Sequence, residues 1–325
     1  MSIAIVLSTR NRADMLSRVL HAHCMILSPG VDFRTVVIDN GSTDHTPAVL
    51  AEALRRLPQL TVLHEPRPGK SRALNLALRE VLGAELVVFT DDDALPEPDW
   101  LRRLWAAAEA EPSYALLGGT IRPSWPAPPP AWFAEWGVPL DICYAATSRR
   151  TDGPISPDLL WGPNFAVRGR VLRDGHRFDE GVGPNGTGNY PMGCEVEFNS
   201  RLGSSGHRAW FVADAAVNHL VRAEQMTLPW VLQRAFSCGF GAYRTGPKRS
   251  SMGIMARWLI YSGSAKAARL ALRPGRRWFW LQWQEALMRG LLTGRVAATR
   301  MPESSRRHAL LRQLTPGRES PARKA

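Results

Sequence analysis

The chain has few cysteines and no cysteine pair. Cys24, Cys143, Cys194 and Cys238 lie far apart with no CxxC spacing, which argues against a zinc site and a disulfide framework and favours reduced thiols in a cytosolic setting. No signal-peptide pattern precedes the first strand pattern, which begins directly after Met1. No stretch reaches the roughly 18 uncharged apolar residues that a membrane span needs. The best candidate, 252–272, is interrupted by Arg257, Lys266 and Arg269. Negative charge is scarce at one end. Residues 221–325 hold 20 Lys and Arg against 4 Asp and Glu, or +16, whereas residues 1–220 sum to −4. A basic tail on a mildly acidic body points to an anionic surface, membrane or nucleic acid. The length of 325 residues accommodates one large domain or two small ones, each with a core.

What is present is organised around Val87–Pro96. Leu86–Phe89 is a short apolar run that reads as a buried strand. Asp91, Asp92 and Asp93 follow it directly, and Pro96 excludes a central ladder position beyond them. Three adjacent carboxylates repel, so a folded chain holds them best around positive charge. Oxygen donors suit a hard cation, Mg²⁺ or Mn²⁺, although a solvated acidic turn has the same composition. Upstream, Ser2–Leu7, Arg34–Ile38 and Thr61–His64 read as strands. Between them lie helical patterns, the first with Met15, Val19, Leu20 and His23 on one face and the third with Leu74, Leu78 and Leu82. Strand and helix alternating over some ninety residues predict a parallel, doubly wound sheet. Each polar turn able to bind a ligand then follows a strand: Ser8–Arg12, Asp39–Asp44 and Asp91–Asp93.

Four segments in order, VLSTRNRADMLSRVL, VVIDNGSTDHT, PGKSRALNLAL and VVFTDDDALPEPDWL, resemble the nucleotide-sugar half of an inverting family 2 glycosyltransferase with the GT-A fold. Downstream, Trp161–Val167 is similar to that family's GxNxAxR strand, Gly193–Leu202 to its GEDxDLxxRL helix start, and Val212–His219 to its final strand and histidine. The resemblance covers about residues 2–220. It implies a mostly parallel α/β sheet flanked by helices, a GT-A domain over 1–220 (nucleotide-sugar half 1–93, acceptor half 94–220), a basic helical extension over 221–300 and a disordered tail over 301–325.

It also implies roles. Thr9, Arg10, Asp39, Lys70, Arg72, Asp91 and Asn164 would bind the nucleotide sugar, with Asp39 at the base. Asp91, Asp93 and His219 would hold Mg²⁺ or Mn²⁺, with Asp92 positional. Glu195 would be the general base. The family pattern reads Glu-Asp where this chain has Cys194-Glu195, and Glu197 is the rival base. Each residue has a structural alternative: Asp39 as an Asx-turn residue, Arg10, Lys70 and Arg72 as solvated turn residues, His219 as a satisfied strand-end histidine, and Glu195 and Glu197 as first-turn carboxylates. The Gly-rich stretch 181–190 reads as a loop that closes over the donor or as a linker. Trp125–Trp132, with four prolines, excludes a helix or central strand and reads as a rim of the acceptor site.

The implied activity is a metal-dependent, hexosyltransferase-type transfer from a nucleotide diphosphate sugar, UDP by weight of the family, to a glycan or lipid-linked acceptor in polysaccharide biosynthesis. The setting is cytoplasmic, or peripheral at the inner membrane face. A sugar-nucleotide pyrophosphorylase would want a Gly-rich first loop, and Ser8–Arg12 has no Gly. A nucleic-acid-binding tail suits the charge, but a Trp-rich apolar tail suits a membrane or a core better. Membrane surface and packed core remain equal readings for Trp230, Trp258, Trp278, Trp280 and Trp283. The GxxxG spacing of Gly290 and Gly294 carries little weight in so short and charged a segment.

Overall fold

The computed structural model describes residues 2–245 and 251–299; the expected disordered tail, 301–325, lies outside them. The βα series runs β1 (Ile3–Thr9), α1 (Ala13–Cys24), β2 (Phe33–Asp39), α2 (Thr46–Arg56), β3 (Leu60–His64), α3 (Lys70–Val81) and β4 (Leu86–Phe89). There follow β5 (Ala94–Pro96), α4 (Trp100–Ala110), β6 (Leu116–Ser124), α5 (Trp132–Trp136), α6 (Leu140–Tyr144), β7 (Gly153–Ile155), β8 (Phe165–Arg168), α7 (Gly169–Arg173), α8 (Cys194–Ser204) and β9 (Ala209–Leu220). Three helices close the described chain: α9 (Leu228–Thr245), α10 (Ser251–Ala271) and α11 (Arg276–Thr299).

One nine-stranded sheet runs β3-β2-β1-β4-β8-β6-β9-β5, with β7 also on β9. β1 to β4 are parallel, as the sequence predicts. Beyond β4 the sheet is mixed: β8 is antiparallel to β4 and β6, and β5 and β7 are antiparallel to β9. The sequence gives no sign of that change, because strand direction follows from connections rather than from strand composition.

Successive strand residues face opposite ways, and both faces are covered, which is why the strands read as continuous apolar runs. Ala4, Val6, Val36, Val87 and Phe89 pack with α3 and α8. Ile3, Ile5, Leu86 and Val88 pack with Trp100, Leu101 and Leu104 of α4. Leu7 and Val37 meet α1 and α2. On α1 the fully buried position is Leu16, with Val19, Leu20 and His23; Met15 is only half-buried.

The tail's tryptophans pack inward. Trp230, Trp278, Trp280 and Trp283 join Trp132, Phe133, Trp136 and Tyr144 in one aromatic core that fixes α9 and α11 to α5 and α6. Trp125, expected on an acceptor rim, packs edge-on to Phe133 and Tyr144 in the same core. Gly290 and Gly294 serve close helix packing within the chain, since a Cβ on either would meet the α9 backbone at Phe236 or Phe240. The spacing given little weight above is therefore the seat of the α9–α11 crossing.

Candidate active site

Parallel strands β1, β2 and β4 end on one edge of the sheet, so the turns after Thr9, Asp39 and Phe89 share a mouth. The three aspartates stand there. β5 pairs with β9 so that Ala94 lies opposite His219. The Leu220 amide donates to the Asp93 carbonyl at 2.7 Å. This register sets His219 Nε2 3.3 Å from Asp93 Oδ1. His219 Nδ1 lies 2.8 Å from the Tyr144 carbonyl. A carbonyl only accepts, so Nδ1 carries a proton and Nε2 is the nitrogen turned to the carboxylate. Burial opposes the imidazolium, but Asp93 outweighs it and raises the His219 pKa.

Arg12 completes this side. Its Nη1 is 2.5 Å from Asp93 Oδ2 and 3.4 Å from Asp92 Oδ1. Burial pushes the Asp92 carboxyl up to about 6, against Arg12 and with the help of Asp93. Asp93, held by His219 and Arg12, stays ionised far below the usual carboxylate range in spite of its burial.

Lys70, the first residue of α3, holds the other side. Its Nζ is 2.5 Å from Asp91 Oδ1 and 2.5 Å from Glu195 Oε1. Burial disfavours the ammonium, yet the two carboxylates raise its pKa well above the usual lysine range. Glu195 enters from the first turn of α8 and is 9% exposed. Burial raises its pKa, but Lys70 overrides this and holds the carboxylate ionised. Glu197 is turned away, with both oxygens on Arg201 at 2.9 and 3.0 Å.

Glu195 is fixed to the acidic strand by a stack of rings. Phe89 stacks on Phe165 at 4.8 Å and meets Phe178 edge-on, and Phe178 stacks on Phe198 of α8 at 4.3 Å. Gly162 leaves the space above, for a Cβ there would stand 2.8 Å from Glu195 Oε1 and 3.3 Å from Asp91 Oδ2.

Of the expected nucleotide residues, Thr9 is buried beside Asp92, and Arg10 Nη1 donates to the Asn40 carbonyl at 2.8 Å. Asp39 Oδ1 accepts from the Ser42 amide at 2.9 Å, within the turn that follows β2, and its Oδ2 faces His64 at 3.6 Å. Arg72 is engaged elsewhere, its Nε donating to Glu180 at 3.0 Å. Asn164 is a correction. It is 1% exposed, accepts from Trp100 Nε1 at 2.8 Å and donates to the carbonyls of Thr120 and Ala215. With those three bonds made and 1% exposure, its side chain is committed to the inside of the sheet rather than to the mouth.

Arg12 and Gly162 were absent from the expected set. Arg12 was findable: once β1 is placed beside β4, Arg10 and Arg12 are the basic residues of the turn facing the three aspartates. The loop 181–190 lies over this mouth. Lys70 N donates to the Pro184 carbonyl, Ser71 Oγ to the Val182 carbonyl, and Gly186 sits against Pro68. Met192 N donates to Ser237 O, which ties the end of the loop to α9.

The donor set fits a hard divalent cation in one respect and limits it in another. Asp93 and the Nε2 of His219 converge, and the Nδ1–H bond to Tyr144 gives the tautomer a metal-bound imidazole uses. Among the described residues no group of three or more His, Cys, Asp or Glu gathers as a ready shell. The chain thus resembles sites in which one or two side chains hold the ion and substrate phosphates supply the rest.

A glucosyl-dolichyl phosphate glucuronosyltransferase of Haloferax volcanii is 28% identical over 169 residues, 49% of this chain and 51% of that protein, so the match spans about half of that relative. Succinoglycan biosynthesis protein ExoM of Rhizobium meliloti is 25% identical over 267 residues, 82% of this chain and 81% of the other. The mannosyltransferase PcManGT of Pyrobaculum calidifontis, solved with GDP-Man and Mn²⁺, is 21% identical and has a TM-score of 0.59 over 90% of this chain and 86% of its own. At that identity the likeness establishes the shared GT-A fold. Residues 4–155, a little under half of the chain, match the model described as Glycosyl transferase family 2.

Proposed function

We propose that this chain is an inverting glycosyltransferase, moving a sugar from a nucleotide diphosphate donor, UDP by weight of the family, to a hydroxyl of a glycan or lipid-linked acceptor. The observation that carries this reading is Glu195, an ionised, nearly buried carboxylate joined to Asp91 through one ammonium, that of Lys70. In a single in-line displacement the acceptor oxygen bonds the anomeric carbon as the bond to the diphosphate breaks. Glu195 takes the proton from that oxygen, and the electron pair leaves with the nucleotide.

In the resting site Lys70 and Arg12 neutralise the carboxylates. An arriving diphosphate competes for Lys70, and a Lys70 drawn toward phosphate leaves Glu195 more basic. Asp39, Arg10 and Thr9 surround the nucleoside end. Asp91, Asp93 and His219 would hold Mg²⁺ or Mn²⁺, which would supply charge stabilisation to the departing diphosphate. The relatives whose names include a dolichyl phosphate sugar or a polysaccharide support a lipid-linked or polysaccharide acceptor.

The test is thermal unfolding with a panel of nucleotide sugars, with and without Mn²⁺, together with a transfer assay. One donor should raise the midpoint. Glu195→Gln should keep that shift and lower transfer by about a hundredfold or more, while Glu197→Gln stays active. No shift with any nucleotide, or an active Glu195→Gln, rejects the reading.

A further inference from the structure

With the tail's tryptophans inside, most of the large apolar surface that its described residues still expose lies on α10, with Leu272 just beyond it and Val296 on α11. The inner side of that helix is spoken for: Ile254, Ala265 and Ala268 are buried, and the Ala265 carbonyl accepts from Gln282 of α11 at 3.0 Å. The outer side is also apolar. Met252 is 82% exposed, Leu259 58%, Ile260 65% and Leu270 92%. Met252, Met255, Leu259 and Leu270 recur at spacings that fall on one helical stripe. An exposed apolar stripe of this kind marks a surface made to be covered.

Charge identifies the cover. From 225 to 284 the sequence has ten Lys and Arg and no Asp or Glu. Arg257, Lys266, Arg273 and Arg277 are exposed on or just beyond α10. The partner must therefore accept apolar side chains and bring negative charge. A second copy of the chain would set these cations against one another. Residues 300–325, with seven Lys and Arg against two Glu, would do the same. Nucleic acid answers the charge and gives the apolar stripe nowhere to go. A bilayer with anionic headgroups answers both. No helix among the described residues is long and apolar enough to cross a membrane, so α10 would lie in the interface plane.

We infer that the outer face of α10 docks this protein on an anionic lipid surface, with Met252, Leu259, Ile260 and Leu270 among the acyl chains, and with Lys266 on the same face and the nearby Arg257, Arg273 and Arg277 reaching the headgroups. α9, packed against α11 and bonded to the end of the loop over the acidic mouth, connects this face to the site.

The experiment is co-sedimentation of the full chain with vesicles of phosphatidylcholine alone and of phosphatidylcholine with phosphatidylglycerol, at rising salt. Binding should need phosphatidylglycerol and weaken with salt. Leu259→Ser with Ile260→Ser should weaken it roughly tenfold or more. Lys266→Gln with Arg273→Gln and Arg277→Gln should do likewise, with circular dichroism unchanged in both. Equal binding to both vesicles, no binding, or binding unaltered by either variant overturns the inference. So does a wild-type dimer that the Leu259 and Ile260 substitutions convert to monomer. Because the readout is vesicle binding, its failure is separate from a failure of sugar transfer.

Discussion

In the catalytic body each carboxylate of the acidic centre has a cation against it: Lys70 on Asp91 and Glu195, Arg12 on Asp92 and Asp93, His219 on Asp93. In the three helices that follow, aromatic side chains are buried while cations and an apolar stripe face outward. One region balances its charge internally at the acidic mouth; the other turns its charge outward. The difference teaches that a positive net charge concentrated in one region says more about what that region touches than about the chemistry the protein performs.

This contrast can be broken from either side. The largest effect is expected in the body's polar core. Asn164→Ala would orphan the Trp100 N–H and two carbonyls at the centre of the sheet, where a Cβ on Gly119 would already collide with Ala215. A loss of about 5 kcal/mol follows from three unsatisfied buried groups, read from urea denaturation. A change under about 1 kcal/mol would mean that Asn164 is free for a ligand after all.

Next comes the aromatic seam between the regions. Phe279, fully buried against Trp132, Trp136 and Trp283, should cost about 4 kcal/mol as Ala. Proteolysis should then reach α9–α11 before the body. If the body unfolds at the same protease level, the two regions are one cooperative unit.

A slightly smaller effect concerns acid. His23 is 1% exposed on α1, its Nδ1 3.3 Å from Thr35 Oγ1, and burial pushes its pKa down from 6.5 to about 4. The unfolded chain then takes up the proton more readily than the folded one. Stability is complete above pH 6.5 and falls as the pH drops toward 4, by about 3 kcal/mol in all. Denaturation at several pH values, with His23→Gln as the flat control, measures it.

The smallest effect separates the two faces of α10. Leu259→Ser, outward, should change stability by less than about 0.5 kcal/mol, so a large loss would place Leu259 in a core rather than on a free surface.

The parallel half of the sheet was legible because its signals are local. The apolar runs at Ile3–Leu7 and Leu86–Phe89 and the three aspartates each declare themselves within a few residues. The pairing of Asp93 with Arg12 was not, because it depends on strand order; His219 was grouped with Asp93 only through the family resemblance, since their approach rests on the β5–β9 register across more than a hundred residues. Asn164 was misread for a related reason. A buried asparagine that satisfies backbone groups and one that binds a ligand look alike until its neighbours are known. The tail tryptophans could not be oriented for want of a clear period, since α11, which carries three of them, spreads its apolar residues around the helix.

The sequence by itself determined the alternating strands and helices, the acidic turn after β4, the loop rich in glycine and the basic end of the chain, because each rests on composition or short-range periodicity. Only the tertiary structure decided which cation answers which carboxylate, that Glu195 rather than Glu197 faces the aspartates, and which apolar side chains of the last helices stay outside. Those outcomes depend on packing between segments far apart in the chain, where a side chain's role is set by the neighbours it acquires rather than by its own type.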